Sequence, residues 1–255
     1  GKDVLKKLEN LKLLVTTGMR NASINMDAAR ECGILVCGTS GSSNSTAELA
    51  WALILSLAKN IPLEDSSIRS GLWQTSLGTG LEGKVLGVLG LGRLGSKVAT
   101  IGSAFGMSVI AWSQNLTHDR ASMFGTTLVN KNTLFSESDF LTVHLQLSGR
   151  TIGLVGTPEF EMMKPSAYII NTSRGPIIDD SALYDALKTG SIRGAGLDVF
   201  DMEPITAGNK YISLANTVLT PHIGYVTDES YKVFYSETVE DIQHWLDGKP
   251  IRVLN

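Results

Sequence analysis

One stretch restricts what this chain can fold into more than any other: Val85-Leu86-Gly87-Val88-Leu89-Gly90-Leu91-Gly92-Arg93-Leu94-Gly95. An apolar run suited to a buried strand leads directly into glycines spaced G-x-G-x-x-G, and a helical pattern follows to about Phe105. Gly90 permits the tight turn, Gly92 lets a ligand approach the backbone, and Gly95 allows the helix to lie close on the strand. The start of that helix presents unpaired N–H groups and the positive end of its dipole, a setting for an anion. The segment therefore predicts a βα unit holding the pyrophosphate of a nicotinamide dinucleotide, with Arg93 and Leu94 beside it.

Further apolar runs rich in Val, Ile and Leu alternate with helical stretches: Leu11 to Val15, Val109 to Ala111, Phe140 to Leu145, Ala167 to Ile170 and Ala195 to Val199. Continuous apolar runs of this length read as parallel strands covered on both faces, so the expected class is α/β, a Rossmann doubly wound parallel sheet. Thr157-Pro158 marks one helix start, and Ser45-Thr46-Ala47-Glu48 has the spacing of a capping box ahead of a second. That second helix, Thr46 to Ala58, is apolar on nearly every face and is expected to be enclosed between two lobes. Asn60 to Ser70 reads as a surface connection, and Asp228 to Leu246 as a long terminal helix.

A dinucleotide-binding strand normally ends in Asp or Glu about 20 residues after the glycines, where the carboxylate accepts from the ribose hydroxyls. Here the run Val109-Ile110-Ala111-Trp112 delivers Ser113, Gln114 and Asn115. No negative charge repels a 2′-phosphate and no Arg follows to attract one, so NADP is placed slightly ahead of NAD.

Three later segments place charged side chains at strand ends, where an open α/β sheet takes its ligands. Ile169-Ile170-Asn171-Thr172-Ser173-Arg174-Gly175 ends an apolar run on a guanidinium suited to a carboxylate. Gly196-Leu197-Asp198-Val199-Phe200-Asp201-Met202-Glu203-Pro204 fixes Glu203 just before a proline, and Leu219-Thr220-Pro221-His222-Ile223-Gly224 frames His222 in a turn. His118 and His244 have the character of surface histidines and His144 of a packed one, with Trp51 and Trp112 assigned to packing.

In this order, the NTSRG arginine, the DVF-x-x-EP glutamate and the TPH histidine resemble the D-isomer-specific 2-hydroxyacid dehydrogenases. The likeness extends to Glu82-Gly83-Lys84-Val85-Leu86-Gly87, Met163-Lys164-Pro165 and Ile223-Gly224-Tyr225-Val226-Thr227, and looks nearest to glyoxylate or hydroxypyruvate reductase-like members. The resemblance implies an oxidoreductase that moves hydride between NAD(P)H and a small 2-keto or D-2-hydroxy acid. Arg174 would bind the substrate carboxylate, His222 would act as acid and base, and Glu203 would tune it by favouring the imidazolium. An alkoxide formed by hydride addition needs such a proton donor. The cofactor would be lined by Gly90, Gly92, Arg93, Leu94, Gly95, Ser113, Gln114, Leu145, Gln146, Thr172, Arg174, Asp198, His222 and Gly224, with Asp198 near the nicotinamide carboxamide. Gly18, Met19 and Arg20 would meet the substrate through backbone amides, together with Arg174.

By the same resemblance, 46–222 forms the dinucleotide domain, while 1–45 and 223–255 form an incomplete flavodoxin-like substrate lobe. Relatives open that lobe with a strand and helix set ahead of the segment matching residues 1–15. The short start predicts a chain that binds dinucleotide better than it turns over substrate. A homodimer through the segment Ile61 to Leu81 is implied, and a dinucleotide-sensing corepressor or a catalytically weak member is the alternative.

Composition narrows the partners. A formal net charge of −3 with no run of Lys or Arg speaks against nucleic acid. The longest apolar stretch, Leu49 to Leu57, is about half of the roughly 18 residues a membrane span needs. The two cysteines, Cys32 and Cys37, lack the partners of a zinc site and suggest a reduced, cytoplasmic setting.

Overall fold

The computed structural model describes residues 1–255 except Arg20, Ala22, Ser42 and Ser43. In chain order its helices and strands are α1 (Lys2–Leu5), β1 (Leu13–Thr16), α2 (Met26–Glu31), β2 (Leu35–Gly38), α3 (Asn44–Ala58), α4 (Ile61–Arg69), β3 (Val85–Leu89), α5 (Arg93–Ala104), β4 (Ser108–Trp112), α6 (His118–Ser122) and β5 (Thr127–Leu128). They continue as α7 (Lys131–Glu137), β6 (Phe140–Val143), α8 (Thr157–Met162), β7 (Tyr168–Asn171), α9 (Asp180–Thr189), β8 (Gly194–Leu197), β9 (Thr217–Leu219) and α10 (Asp228–Leu246). Two compact units result: Ser43–Gly224, and Gly1–Ser42 together with Tyr225–Asn255.

The larger unit is built on one seven-stranded sheet, all parallel, in the order β5-β4-β3-β6-β7-β8-β9. From β3 the chain builds outward through β4 and β5, then crosses back to add β6 on the other side of β3. The carboxyl ends of β3 and β6 therefore flank the point where the direction of winding reverses, the place where such sheets leave a crevice for ligands. Strand periodicity divides the core between the two faces. Leu86, Val88, Phe140, Tyr168 and Ile170 pack with α3 and α5, whereas Leu89, Leu141, Val143 and Ile169 join Leu134, Phe135, Phe160 and Leu183 on the opposite side. Both faces are covered, which is why these strands read as continuous apolar runs rather than alternating ones.

The smaller unit holds the parallel pair β1 and β2. Leu5, Ala28, Ala29, Ile34 and Val36 form its core, and the C-terminal segment bonds alongside β2 through Gly38 N–H to the Arg252 carbonyl and Leu254 N–H to the Val36 carbonyl. Among the described residues no helix is long and apolar enough to cross a membrane.

Several expectations need correction. Residues 60–70 are not a plain connection, because α4 occupies Ile61–Arg69 with Pro62 in its first turn, where the missing N–H costs nothing. The Ser45 capping box does not form: α3 already begins at Asn44, and the Ser45 hydroxyl is buried without a hydrogen-bond partner among the described residues. Nor is α3 enclosed on every face, since Glu48 and Ala52 are exposed. Strand β6 stops at Val143, which leaves His144 and Leu145 in the following loop, and β8 stops at Leu197, short of Val199. Sequence reasoning passed over β2, although Ile34 to Cys37 is an apolar run of four, and the short β5 and β9, which carry no run of that length.

Candidate active site

The glycine-rich turn sits at the end of β3 as its spacing requires. Gly90 has φ +103, and a Cβ built there would lie 2.9 Å from the His144 carbonyl carbon and oxygen. A Cβ at Gly95 would lie 2.0 Å from the Gly90 carbonyl oxygen, so only glycine lets the first turn of α5 rest on β3. Gly92 is different: among the described residues no atom beyond its own chain neighbours and the adjoining helix backbone lies within 4 Å of a Cβ placed there. The protein does not fill that space, which adjoins the N-terminal amides of α5, and this suits a glycine that clears room for an anion.

Beside the turn, β4 ends at Trp112, whose carbonyl accepts the Gly90 N–H, and half-buried Ser113 follows with Gln114 exposed. On the other side, β6 delivers His144. Its Nε2 is 2.9 Å from Thr142 Oγ1, its Nδ1 is buried with no partner among the described residues, and burial draws its pKa down from 6.5 to about 4. The ring is neutral at physiological pH. Next to it, at the end of β7, the Thr172 hydroxyl is also buried and unpartnered among the described residues. Two orphaned polar atoms at adjacent strand ends, with the open space at Gly92, fit a polar ligand such as a nicotinamide dinucleotide. Among the described residues no group of three or more His, Cys, Asp or Glu side chains is placed to hold a metal ion.

The loop after β7 is tied down by Asn171, which is 1% exposed. Its Oδ1 accepts the Ser173 N–H at 3.0 Å and its Nδ2 donates to the Arg174 carbonyl at 3.0 Å, while the Ser173 hydroxyl bonds the Leu145 carbonyl. Gly175 then packs against the backbone of Phe200, where a Cβ would come within 2.2 Å. The Arg174 backbone is fixed while its exposed guanidinium donates to the Ser173 carbonyl at 2.6 Å.

The next strand ends supply the remaining groups. Glu203 accepts the Phe200 N–H at 2.8 Å on Oε1, and its Oε2 lies 2.5 Å from His222 Nδ1. Both side chains are 32% exposed, so the pair is in reach of a ligand. His222 occupies the left-handed region at φ +55, uncommon for a residue with a side chain and worth an explanation when found. Asp198, 1% exposed, takes hydrogen bonds from the Thr220 hydroxyl and from the Ile223 and Gly224 N–H groups. The Gly224 carbonyl accepts from the Thr46 hydroxyl at 2.9 Å.

The sheet thus brings the glycine turn, Ser113, His144, Leu145, Thr172, Arg174, Asp198, Glu203 and His222 to the carboxyl ends of neighbouring strands. The turn expected for the substrate lies in the smaller unit. There Gly18 donates its N–H to Thr39 Oγ1 at 2.8 Å, Met19 is exposed, and Arg20 lies outside the described residues. Sequence reasoning passed over Asn171, Thr142 and Thr220 as functional supports. The available signal was a polar side chain at the junction of an apolar strand and a loop, where burial demands partners.

Comparison with known proteins gives the family and the fold. Residues 51–224 match the family described as D-isomer specific 2-hydroxyacid dehydrogenase, NAD binding domain. The chain is 39% identical over 253 residues to a D-3-phosphoglycerate dehydrogenase of Archaeoglobus fulgidus, covering 98% of this chain and 48% of that protein. It is also 39% identical over 239 residues to a glyoxylate reductase of Thermococcus litoralis, covering 90% and 72%. Its structure resembles that of a D-3-phosphoglycerate dehydrogenase oxidoreductase, described as putative, from Ralstonia solanacearum, with TM-score 0.93 and 33% identity over all of this chain and 80% of the other. The chain spans about half the length of the D-3-phosphoglycerate dehydrogenase from Archaeoglobus fulgidus. With two thirds of its residues matched by the family model, the chain belongs to the D-isomer specific 2-hydroxyacid dehydrogenase family.

Proposed function

We propose that the chain reduces a small 2-keto acid to the D-2-hydroxy acid, and catalyses the reverse, with a nicotinamide dinucleotide. The observation that carries this reading is the His222–Glu203 pair, 2.5 Å apart and half-buried at the sheet edge that also presents Arg174. A bound reduced nicotinamide supplies the hydride. The protein's own groups do the rest. The Arg174 guanidinium, planar and permanently charged, pairs with the substrate carboxylate and draws charge toward the keto oxygen. Glu203 holds His222 by Nδ1, which turns Nε2 toward the proton transfer: it donates to the nascent alkoxide in reduction and accepts the hydroxyl proton in oxidation.

The amides at the start of α5, with Gly92, Arg93 and Leu94, would hold the pyrophosphate, and His144 and Thr172 offer polar atoms nearby. Ser113 in place of a carboxylate supports NADP slightly ahead of NAD. Exposed Leu72, Trp73 and Leu77 in the segment after α4 support a homodimer. The free thiols of Cys32 and Cys37 fit the cytoplasm.

Nicotinamide absorbance followed with NADH and NADPH separately, against glyoxylate, hydroxypyruvate and pyruvate, tests the reading. Turnover is expected with at least one pair, and His222→Ala should lower it by roughly a hundredfold or more while dinucleotide affinity stays within about twofold. Undiminished activity in that variant would remove His222 from the chemistry.

A further inference from the structure

Glu203 must present a fixed carboxylate to His222, yet its own loop does little to hold it. Asp201, Met202, Glu203 and Pro204 are all exposed, so the connection from β8 to β9 takes its support from the two ends of that loop. At the first end the space that a side chain at Gly175 would need is filled by the Phe200–Asp201 peptide, which seats that peptide on the Arg174 loop. At the second end the chain forms a short 3-10 turn, Lys210–Ser213. Tyr211 of that turn reaches the first end. It is 2% exposed, and its ring centroid lies 6.4 Å from that of Phe200.

The Tyr211 hydroxyl donates to Asp180 at the start of α9, where both the carbonyl oxygen and Oδ1 lie 2.9 Å away. Lys210 completes the clasp, with Nζ 2.9 Å from the same carbonyl oxygen and 2.5 Å from Asp180 Oδ2. Burial, and then the Asp180 carboxylate, push the Tyr211 phenol well up from its usual range, so the proton of this hydrogen bond stays in place at any working pH. One small cavity joins the parts. Asn171 and Gly175, which support the Arg174 loop, line it together with Phe200, Asp201, Asp180 and Tyr211.

We propose that Tyr211, clasped to Asp180, is a positioning residue that holds the Phe200–Asp201 peptide against Gly175 and thereby sets Glu203 against Nδ1 of His222. The proposal rests on the reading of His222 as acid and base given above. Phe200 transmits the effect. Its N–H donates to Glu203 Oε1 at 2.8 Å, so a shift of the Phe200 backbone moves the carboxylate whose Oε2 faces His222. With Nδ1 donating to Glu203, the neutral ring carries its proton on Nδ1, opposite to the Nε2–H form that an unconstrained histidine favours.

The test removes either end of the clasp, with Tyr211→Phe and Asp180→Ala, and compares them with the wild type, Glu203→Gln and the double variant Tyr211→Phe/Glu203→Gln. The ring 15N spectrum of His222 at alkaline pH is read beside NADH and NADPH titrations by fluorescence, turnover of glyoxylate and pyruvate, and the thermal midpoint. The expected result is an Nδ1–H ring in the wild type, an Nε2–H ring in Glu203→Gln and a mixture of the two in Tyr211→Phe. Asp180→Ala should shift the same way to a smaller extent, because the Asp180 carbonyl still accepts the phenol. kcat should fall by roughly tenfold in Tyr211→Phe, as small misplacements of a reacting group can cause, with dinucleotide Kd within about twofold. Added to Glu203→Gln, the same change should cost less than about twofold, because the carboxylate it positions is already gone. A wild-type tautomer in both Tyr211→Phe and Asp180→Ala overturns the proposal, even where the thermal midpoint falls, since the clasp then serves stability alone. A loss in kcat that is undiminished in the Glu203→Gln background overturns it as well. Should Tyr211→Phe fail to fold by circular dichroism, Asp180→Ala decides alone. If the wild type turns over neither acid, the activity reading fails by itself while the ring spectra still decide the role of Tyr211.

Discussion

At His144 the cost of burying an ionisable ring becomes measurable. Its pKa is depressed from 6.5 to about 4 by burial, so between those values the unfolded chain binds a proton that the folded chain does not. The sign follows directly: stability is full above pH 6.5 and is lost as pH falls toward 4, by at most about 3 kcal/mol from this residue. Denaturant midpoints measured at pH 7 and pH 4.5 are expected to fall further in the wild type than in His144→Gln, which cannot titrate. An equal drop in both would mean that the ring is hydrated in the fold. The same neutrality suits a residue beside a dinucleotide site, because it leaves a hydrogen-bonding nitrogen there without adding charge.

The strand–turn–helix unit of β3 and α5 shows how two glycines of one motif serve different masters. A methyl group at Gly95 would collide with the Gly90 carbonyl oxygen at 2.0 Å, backbone against backbone, so α5 must shift away from β3 to admit it. Gly95→Ala is expected to cost roughly 3 kcal/mol, as overpacking of a tight core does, and to weaken dinucleotide binding as a consequence. A methyl group at Gly92 meets no atom of the described residues within 4 Å beyond its chain neighbours and the adjoining helix backbone. Gly92→Ala should leave the thermal midpoint close to that of the wild type and still weaken dinucleotide affinity by tenfold or more, since the space it takes is the ligand's. Calorimetric melting with NADH and NADPH titration of both variants separates the two roles. A stable Gly92→Ala protein with wild-type affinity would place the pyrophosphate elsewhere.

For the molecule as a whole, the exposed apolar side chains after α4 are the largest unexplained feature of the larger unit. Trp73 is 75% exposed and Leu77 88%, on a segment anchored by Glu64, whose carboxylate accepts from the Thr75 and Ser76 hydroxyls. A monomer gains nothing from holding such side chains in water, whereas a second copy would bury them. Sedimentation of the wild type is expected to give a dimer, and Trp73→Ser to move the population toward monomer at low micromolar concentration. A wild-type monomer across that range would leave the segment without the role proposed for it.

The glycine-rich turn, the central strands and the order of Arg174, Glu203 and His222 were legible in the sequence, because each depends on residues close together along the chain. Apolar runs report burial on two faces, and glycine spacing reports a local backbone path. The sequence also placed Asp198 in a motif, but not the hydrogen bonds it accepts from the turn that holds His222. Other features depended on pairing between distant segments. Strand β2 is fixed in part by the C-terminal residues, α4 begins at a proline-containing turn that read as a connection, and the Ser45 cap yields to a helix that starts two residues earlier than expected, at Asn44. The sequence by itself determined that the chain forms a parallel α/β unit with an anion-binding turn and three charged groups at strand ends. Only the tertiary structure decided which atoms meet: Glu203 with Nδ1 of His222, Asn171 under the Arg174 loop, and one buried carboxylate beneath the histidine turn. The reason is physical, since a buried polar atom must find its partners across the fold, and no local pattern records where they lie.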